Sequence, residues 1–217
     1  MKTIGSTIIM LALVPSLFAD NSKELKLASP DGTHEIVFYQ KQVSPAVNEL
    51  CYRVDYKSQP VVNESRAGLE LDNRIWEMAL GVRNLKQPAC WMDNLEVDSV
   101  TYQLETNLTW QPLYGERSSV RDHYRAGTLC LSKKDNSGYR LNIEVRAYNE
   151  GVAFRYFFPE HPKAIFHKVV GDLTEYALPA GTKAWTEQWA QAFFERLNID
   201  DIKHPVERTL TFELPNG

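Results

Sequence analysis

The side chains of this 217-residue chain that could do chemistry are 28 Asp and Glu, five His, and a large set of rings: five Trp, ten Tyr and nine Phe. Hydrolysis of a glycosidic bond needs two carboxyls about 5–9 Å apart across a groove. No local arrangement marks such a pair. Glu116 and Asp122 share the polar stretch 115–124, whose alternating charge reads as a solvated or salt-bridged strand edge. His161 and His167 are six residues apart, which matches no tight metal motif, and H-E-x-x-H is absent. No serine sits in a nucleophile-elbow setting, and no glycine-rich phosphate loop occurs. An exposed ring can stack on a sugar, although most rings here read as core. Trp110, between Leu108-Thr109 and Gln111-Pro112, and Trp91, after Pro88-Ala89-Cys90, are the loop candidates for substrate contact.

The elements that position these residues begin after a processing signal. Lys2 precedes an apolar run from Ile8 to Val14, Pro15 follows, and Leu17-Phe18-Ala19 forms a small-residue cleavage site before Asp20. That pattern predicts a secretory signal peptide over residues 1–19 and a mature domain over 20–217. The run is about half the ~20 residues that a membrane span needs, so no membrane association is expected after cleavage. Net charge is −4, with no basic block or stripe, which gives nucleic-acid binding no support. Cys51, Cys90 and Cys130 form no C-x-x-C pair. One disulfide with an odd thiol, or three small packed residues, both satisfy that spacing.

Nearly everything after Asp20 reads as strands and turns. Ser29-Pro30-Asp31-Gly32 is turn chemistry, and Leu50, Tyr52, Val54 and Tyr56 alternate on one face. The strongest pair covers residues 140–147 and 152–158. Leu141, Ile143, Val145 and Ala147 take one side, and Asn142, Glu144 and Arg146 the other. Asn149-Glu150-Gly151 makes the reversal. The second strand is apolar on both sides apart from Arg155, which predicts a central strand covered on both faces. Only residues 187–197 lack breakers and suit a helix, with Trp189, Phe193 and Leu197 in one stripe. A last strand is expected over 208–214, followed by the turn Pro215-Asn216-Gly217. Many short strands with spaced turns argue an all-β sandwich.

Four segments carry a resemblance. They are Ser29-Pro30-Asp31-Gly32, the stretch 109–124 beginning Thr-Trp-Gln-Pro-Leu-Tyr-Gly-Glu, the stretch 146–159 reading Arg-Ala-Tyr-Asn-Glu-Gly-Val-Ala-Phe-Arg-Tyr-Phe-Phe-Pro, and the strand and turn 208–217. In order and spacing they resemble the N-terminal β-domain of family 97 glycoside hydrolases. The resemblance runs from about Leu25 to Gly217.

It implies a large distorted β-sandwich, a super-sandwich of the galactose-mutarotase-like kind, ending here before its last strands. It implies a (β/α)₈ catalytic barrel as partner, in cis or from a neighbouring frame, with no catalytic residue in this chain and no activity alone. The implied substrate is an α-linked oligosaccharide, a glucoside or galactoside, and the implied location is the bacterial periplasm or medium. Calcium is the implied cofactor of the complete enzyme. Glu195, ten residues beyond Trp185, matches the family position that supplies one ligand, with Glu187 as the next candidate. An independent carbohydrate-binding module, or a non-functional fragment, are the alternatives.

Overall fold

The computed structural model describes residues 18–20, 23–45, 47–79, 89–90, 95–133, 138–161 and 166–215. β1 (Phe18–Asp20) precedes β2 (Glu24–Ala28), where Leu25 and Leu27 point inward between exposed neighbours. The turn after β2 closes on itself. The Gly32 amide donates to the Ser29 carbonyl at 2.9 Å, and Gly32 holds the positive φ of 75° that a side chain would oppose. β3 (His34–Ser44) and β4 (Val47–Tyr56) form a long hairpin. Lys57 and Ser58, both at positive φ, reverse the chain into β5 (Gln59–Arg66), as a two-residue hairpin turn requires. Then come β6 (Leu69–Leu71), the helix α1 (Arg74–Ala79), β7 (Ala89–Cys90) and β8 (Leu95–Tyr102). β9 (Thr106–Trp110), β10 (Val120–Lys133), β11 (Arg140–Tyr148) and β12 (Gly151–Phe157) complete the larger sheet. β13 (Val169–Asp172), β14 (Lys183–Thr186), β15 (Glu195–Asn198) and β16 (Thr211–Glu213) follow.

Among the described residues these strands make four antiparallel sheets. The six-stranded sheet runs β1-β8-β10-β11-β12, with β9 also on β10. The four-stranded sheet runs β2-β3-β4-β5. Their inner faces meet, β2 against β10 and β11, β3 against β11 and β12. Leu25, Ile36, Phe38, Leu129, Leu141 and Ile143 are fully buried there. Each such side chain contributes about 1.5–3 kcal/mol of burial, which makes this interface the main source of stability. Gly127 on β10 lets the two layers approach. A Cβ there would lie 3.2 Å from Leu25 Cδ1 and 3.3 Å from Tyr102 Cδ1. The layers are also tied at one end, where the Asp31 amide donates to Asn149 Oδ1 at 3.1 Å.

The all-β sandwich expected from the sequence is what the chain forms. The hairpin over 140–158 is present in unbroken register, from Tyr148↔Gly151 to Asn142↔Phe157. Leu141, Ile143, Val145 and Ala147 are its buried face, each 1% exposed or less.

Three expectations are corrected. Among the described residues β12 is an edge strand rather than a central one. Its even residues Val152, Phe154 and Tyr156 pack on the core, while Ala153, Arg155 and Phe157 face out. Arg155 is held there by Glu144 at 2.6 Å, and no layer among the described residues covers that side. Residues 187–197 do not form the predicted helix. Their backbone turns and then pairs with β14, Thr186↔Glu195 through Lys183↔Asn198. A single short helix gains little by itself, and a Trp189–Phe193–Leu197 stripe would have found no core, since Phe193 is 93% exposed. Trp110 ends β9 opposite Val120 rather than lying in a loop.

Of the predicted leader, only Phe18 and Ala19 are described. They pair with Tyr102 and Thr101 of β8. Cys51 and Cys130 are free thiols, and burial pushes the Cys51 thiol up to about 11, which leaves it protonated and inert.

Candidate functional site

Glu195 opens β15 and is exposed. Its strand partner is Thr186, so Glu187 follows directly beside it, and the Glu187 carbonyl accepts from the Glu207 amide at 2.9 Å. Both glutamates line one small hollow of about 280 Å³, with Gln188, Trp189, Gln191 and Phe193. The structure thus brings together the two acids that the sequence offered as alternatives. Arg196 does not neutralise Glu195. It lies on the opposite face of β15, opposite Trp185, and grips Glu213 of β16 through Nε at 2.9 Å and Nη2 at 2.6 Å.

Carboxylates and amide oxygens are the hard donors that calcium prefers, but six to eight oxygens at about 2.3–2.6 Å are needed. Two carboxylates supply at most four. Among the described residues no cluster of three or more Asp, Glu, His or Cys stands ready to hold a metal. The donor set is of the right kind and incomplete.

Two large rings line the hollow beside these acids, Trp189 at 58% and Phe193 at 93% exposure. Trp185 and Phe212 are also exposed but lie on opposite faces of the three-stranded sheet, Trp185 beside Arg196 and Phe212 beside Ala184. Large rings left side by side in water commonly mark a contact surface. The three-stranded sheet still holds its own core: Ala184 and Thr186 are buried, and the Thr182 hydroxyl donates to the Pro179 carbonyl at 2.6 Å.

The second sequence candidate, Trp110, stands on the hairpin of β9 and β10. It is exposed, as are Leu108, Leu113 and Tyr114. The polar stretch 115–124 joins this hairpin as expected. His123 Nε2 meets Glu105 at 2.7 Å and Arg125 Nε donates to Glu105 at 3.0 Å, which holds the Glu105 carboxyl below its usual range. Glu116 is exposed in the connection between the two strands, and Asp122 stands on β10 opposite Leu108. Trp91 lies outside the described residues.

Two features were not legible beforehand. His161 and His167 meet around Tyr139, ring centroids 5.3 and 5.6 Å away, and His167 stacks on Phe158 at 4.4 Å. This is a packing cluster, closed by Asn73 Nδ2 on His167 Nδ1 at 2.9 Å. The other feature is a groove of about 1070 Å³ beside β12, with Ile36, Val54 and Val62 on its floor. Spacing along the chain signals neither, because each forms between segments far apart in sequence.

The family model described as glycosyl-hydrolase 97 N-terminal matches residues 27–217. Over 178 residues the chain is 26% identical to a retaining alpha-galactosidase of Bacteroides thetaiotaomicron, an alignment covering 82% of this chain and 22% of that protein. Among solved structures it is similar to a glycoside hydrolase family 97 enzyme from Pseudoalteromonas sp. strain K8, seen with panose and with acarbose. The TM-score is 0.73 at 24% identity, over 89% of this chain and 27% of that one. A beta-arabinopyranosidase matches at TM-score 0.58 and 17% identity, over 75% of this chain and 22% of that one. These structural likenesses are of fold.

Proposed function

The chain belongs to the glycosyl-hydrolase 97 N-terminal family, and from that premise we propose that it is the accessory β-domain of a calcium-dependent α-glycosidase. In this reading it docks on a (β/α)₈ barrel that carries the acid and base, and it completes that barrel's active site. The observation that carries the reading is the sheet of β14, β15 and β16. In it Glu187 and Glu195 line one hollow with the exposed rings of Trp189 and Phe193, which supports a docked partner at that place. A partner that covers the rings would bring its own oxygens to the acids. Calcium held there supplies a fixed positive charge, and Glu195 contributes one carboxylate to it.

The substrate class follows from the relatives. One is named for galactosides, and the Pseudoalteromonas enzyme was captured with panose and acarbose. Both support an α-linked oligosaccharide as substrate of the whole enzyme. The N-terminal pattern of residues 1–19 supports export to the periplasm or medium. Mass spectrometry of the exported chain should then find Asp20 at its N-terminus.

Calorimetry tests the calcium site. The chain alone should bind calcium weakly or not at all. With a family 97 barrel added, binding should appear, and Glu195→Gln should weaken it by about tenfold or more, since a ligand charge is lost while shape is kept. Unchanged affinity in that variant would move the ligand to Glu187 or dismiss the site. The standalone alternative predicts something different: retention of the chain alone on an α-glucan gel, lost on Trp110→Ala or Trp91→Ala.

A further inference from the structure

We infer that the outer face of the six-stranded sheet, over β10, β11 and β12, is a binding site for a neutral saccharide. Strand register fixes which side chains share that face. Leu141, Ile143, Val145 and Ala147 turn into the core, so Asn142, Glu144, Arg146 and Tyr148 between them turn out. Directly paired residues lie on one face of a sheet. That sets Thr128, Glu144 and Arg155 in one cross-strand row and Ala126, Arg146 and Ala153 in the next. Arg146, Ala153 and Arg155 are exposed there.

The second row leaves a hollow. Ala126 and Ala153 are small, and Arg146 between them folds away. Its guanidinium carbon lies 4.4 Å from the centre of the Tyr124 ring, and its Nη1 donates to the Tyr148 hydroxyl at 3.3 Å. What remains is a groove of about 520 Å³, within the size range of small-molecule sites. Gln103, Thr128, Glu144, Arg146, Tyr148 and Arg155 line it.

The lining selects the ligand, because it offers donors and acceptors side by side. Arg155 Nε and Nη2 both reach Glu144 Oε2 at 2.6 Å, which leaves Oε1 without a protein partner among the described residues. The Thr128 hydroxyl and the Gln103 carboxamide have none there either. Arg146 keeps further N–H groups beyond the one given to Tyr148. Sugar hydroxyls each donate and accept, so neighbouring pairs of them match this set. An anion would be repelled by Glu144, and an apolar ligand would bury these polar groups without partners. Two rings border the face along the strands. Tyr148 pairs with Gly151 and Phe157 with Asn142, a separation of about 20 Å at 3.3 Å per residue. Phe157 is 41% exposed. A linear oligosaccharide has a ring to meet at either end. The hollow at Glu187 and Glu195 belongs to a different sheet, so this is a second place on the molecule. The choice of α-linked probes rests on the family reading above; the polar face does not.

The test is two-dimensional NMR of the purified chain, titrated at millimolar concentration with panose and with raffinose, an α-glucosyl and an α-galactosyl trisaccharide. Amides of residues 126–128, 144–146 and 153–155 should shift along one saturation curve, while those of β14 to β16 stay in place. Thr128→Val and Gln103→Ala each remove one hydrogen-bonding group from the groove, and each should weaken binding by about threefold to tenfold. Unshifted core amides in β3 would report an intact fold in both variants. No shift with either trisaccharide would overturn the inference and leave barrel docking, read by calcium calorimetry, standing. Saturable shifts with no calcium binding in the presence of a barrel would do the reverse. Binding that Trp110→Ala abolishes and Thr128→Val leaves intact would move the sugar to the β9–β10 hairpin. Inorganic phosphate shifting the same amides where the trisaccharides do not would make the groove an anion site at Arg146. Either result overturns the saccharide assignment.

Discussion

At Asp31 three donors converge on one carboxylate oxygen: the Ser29 hydroxyl at 2.6 Å, the Thr33 hydroxyl at 2.8 Å and the Thr33 amide at 3.0 Å. They stabilise the ionised form and hold the carboxyl at about 2, below its ordinary 3.8. A depressed folded pKa makes this contribution fully present above about pH 4 and lost as pH falls through about 2. A carbon-detected NMR titration should place the Asp31 midpoint near 2, and Ser29→Ala should raise it, because the leading cause is removed. An unmoved midpoint would mean the turn is not formed in solution. Phe154 offers a second residue-level check. Its ring lies 5.1 Å from Phe38 and 5.4 Å from Tyr52 but is only half-buried, whereas Ile143 is fully buried. Phe154→Ala should cost about 1–3 kcal/mol and Ile143→Ala about 2–5 kcal/mol. Urea melts giving a larger loss at Phe154 would show that its face is closed off.

Among the elements, the β11–β12 hairpin is the most informative. Period-two burial on β11 and the reversal at Asn149-Glu150-Gly151 were readable, because both are local consequences of strand pleat and turn chemistry. Gly151 holds φ at 155°, so Gly151→Ala should destabilise the hairpin by about 1 kcal/mol with little steric clash, as nothing lies within 4 Å of the added Cβ. A thermal melt coincident with the parent would refute that. The edge position of β12 was not readable. Apolar text on both faces says only that both could be buried. Which neighbour exists beside it depends on strand order, and strand order is set by distant segments. The segment 187–197 teaches the same lesson. Helix formers and a four-residue stripe favoured a helix, but pairing of residues 195–198 with β14 satisfied the backbone instead.

On the scale of the molecule, the described residues build a sandwich with open surfaces at the hollow of Glu187 and Glu195 and at the edge of β12. With the acid and base carried by a barrel, as proposed, the purified chain should show no turnover of aryl α-glucosides or α-galactosides. Heat-sensitive hydrolysis that disappears when one of its acids is neutralised would overturn that expectation. The sequence by itself determined the β class, the inward face of β11, the turns at Gly32 and Gly151, and the family, through segments such as 146–159 kept in order. These are local patterns, written in the alternation and turn residues of single segments. Only the tertiary structure decided that Glu187 and Glu195 share one hollow, that His161 and His167 close around Tyr139, and that β12 borders a groove. Each of those joins backbone segments through sheet pairing or layer packing, and a linear chain does not display which of its strands will be neighbours.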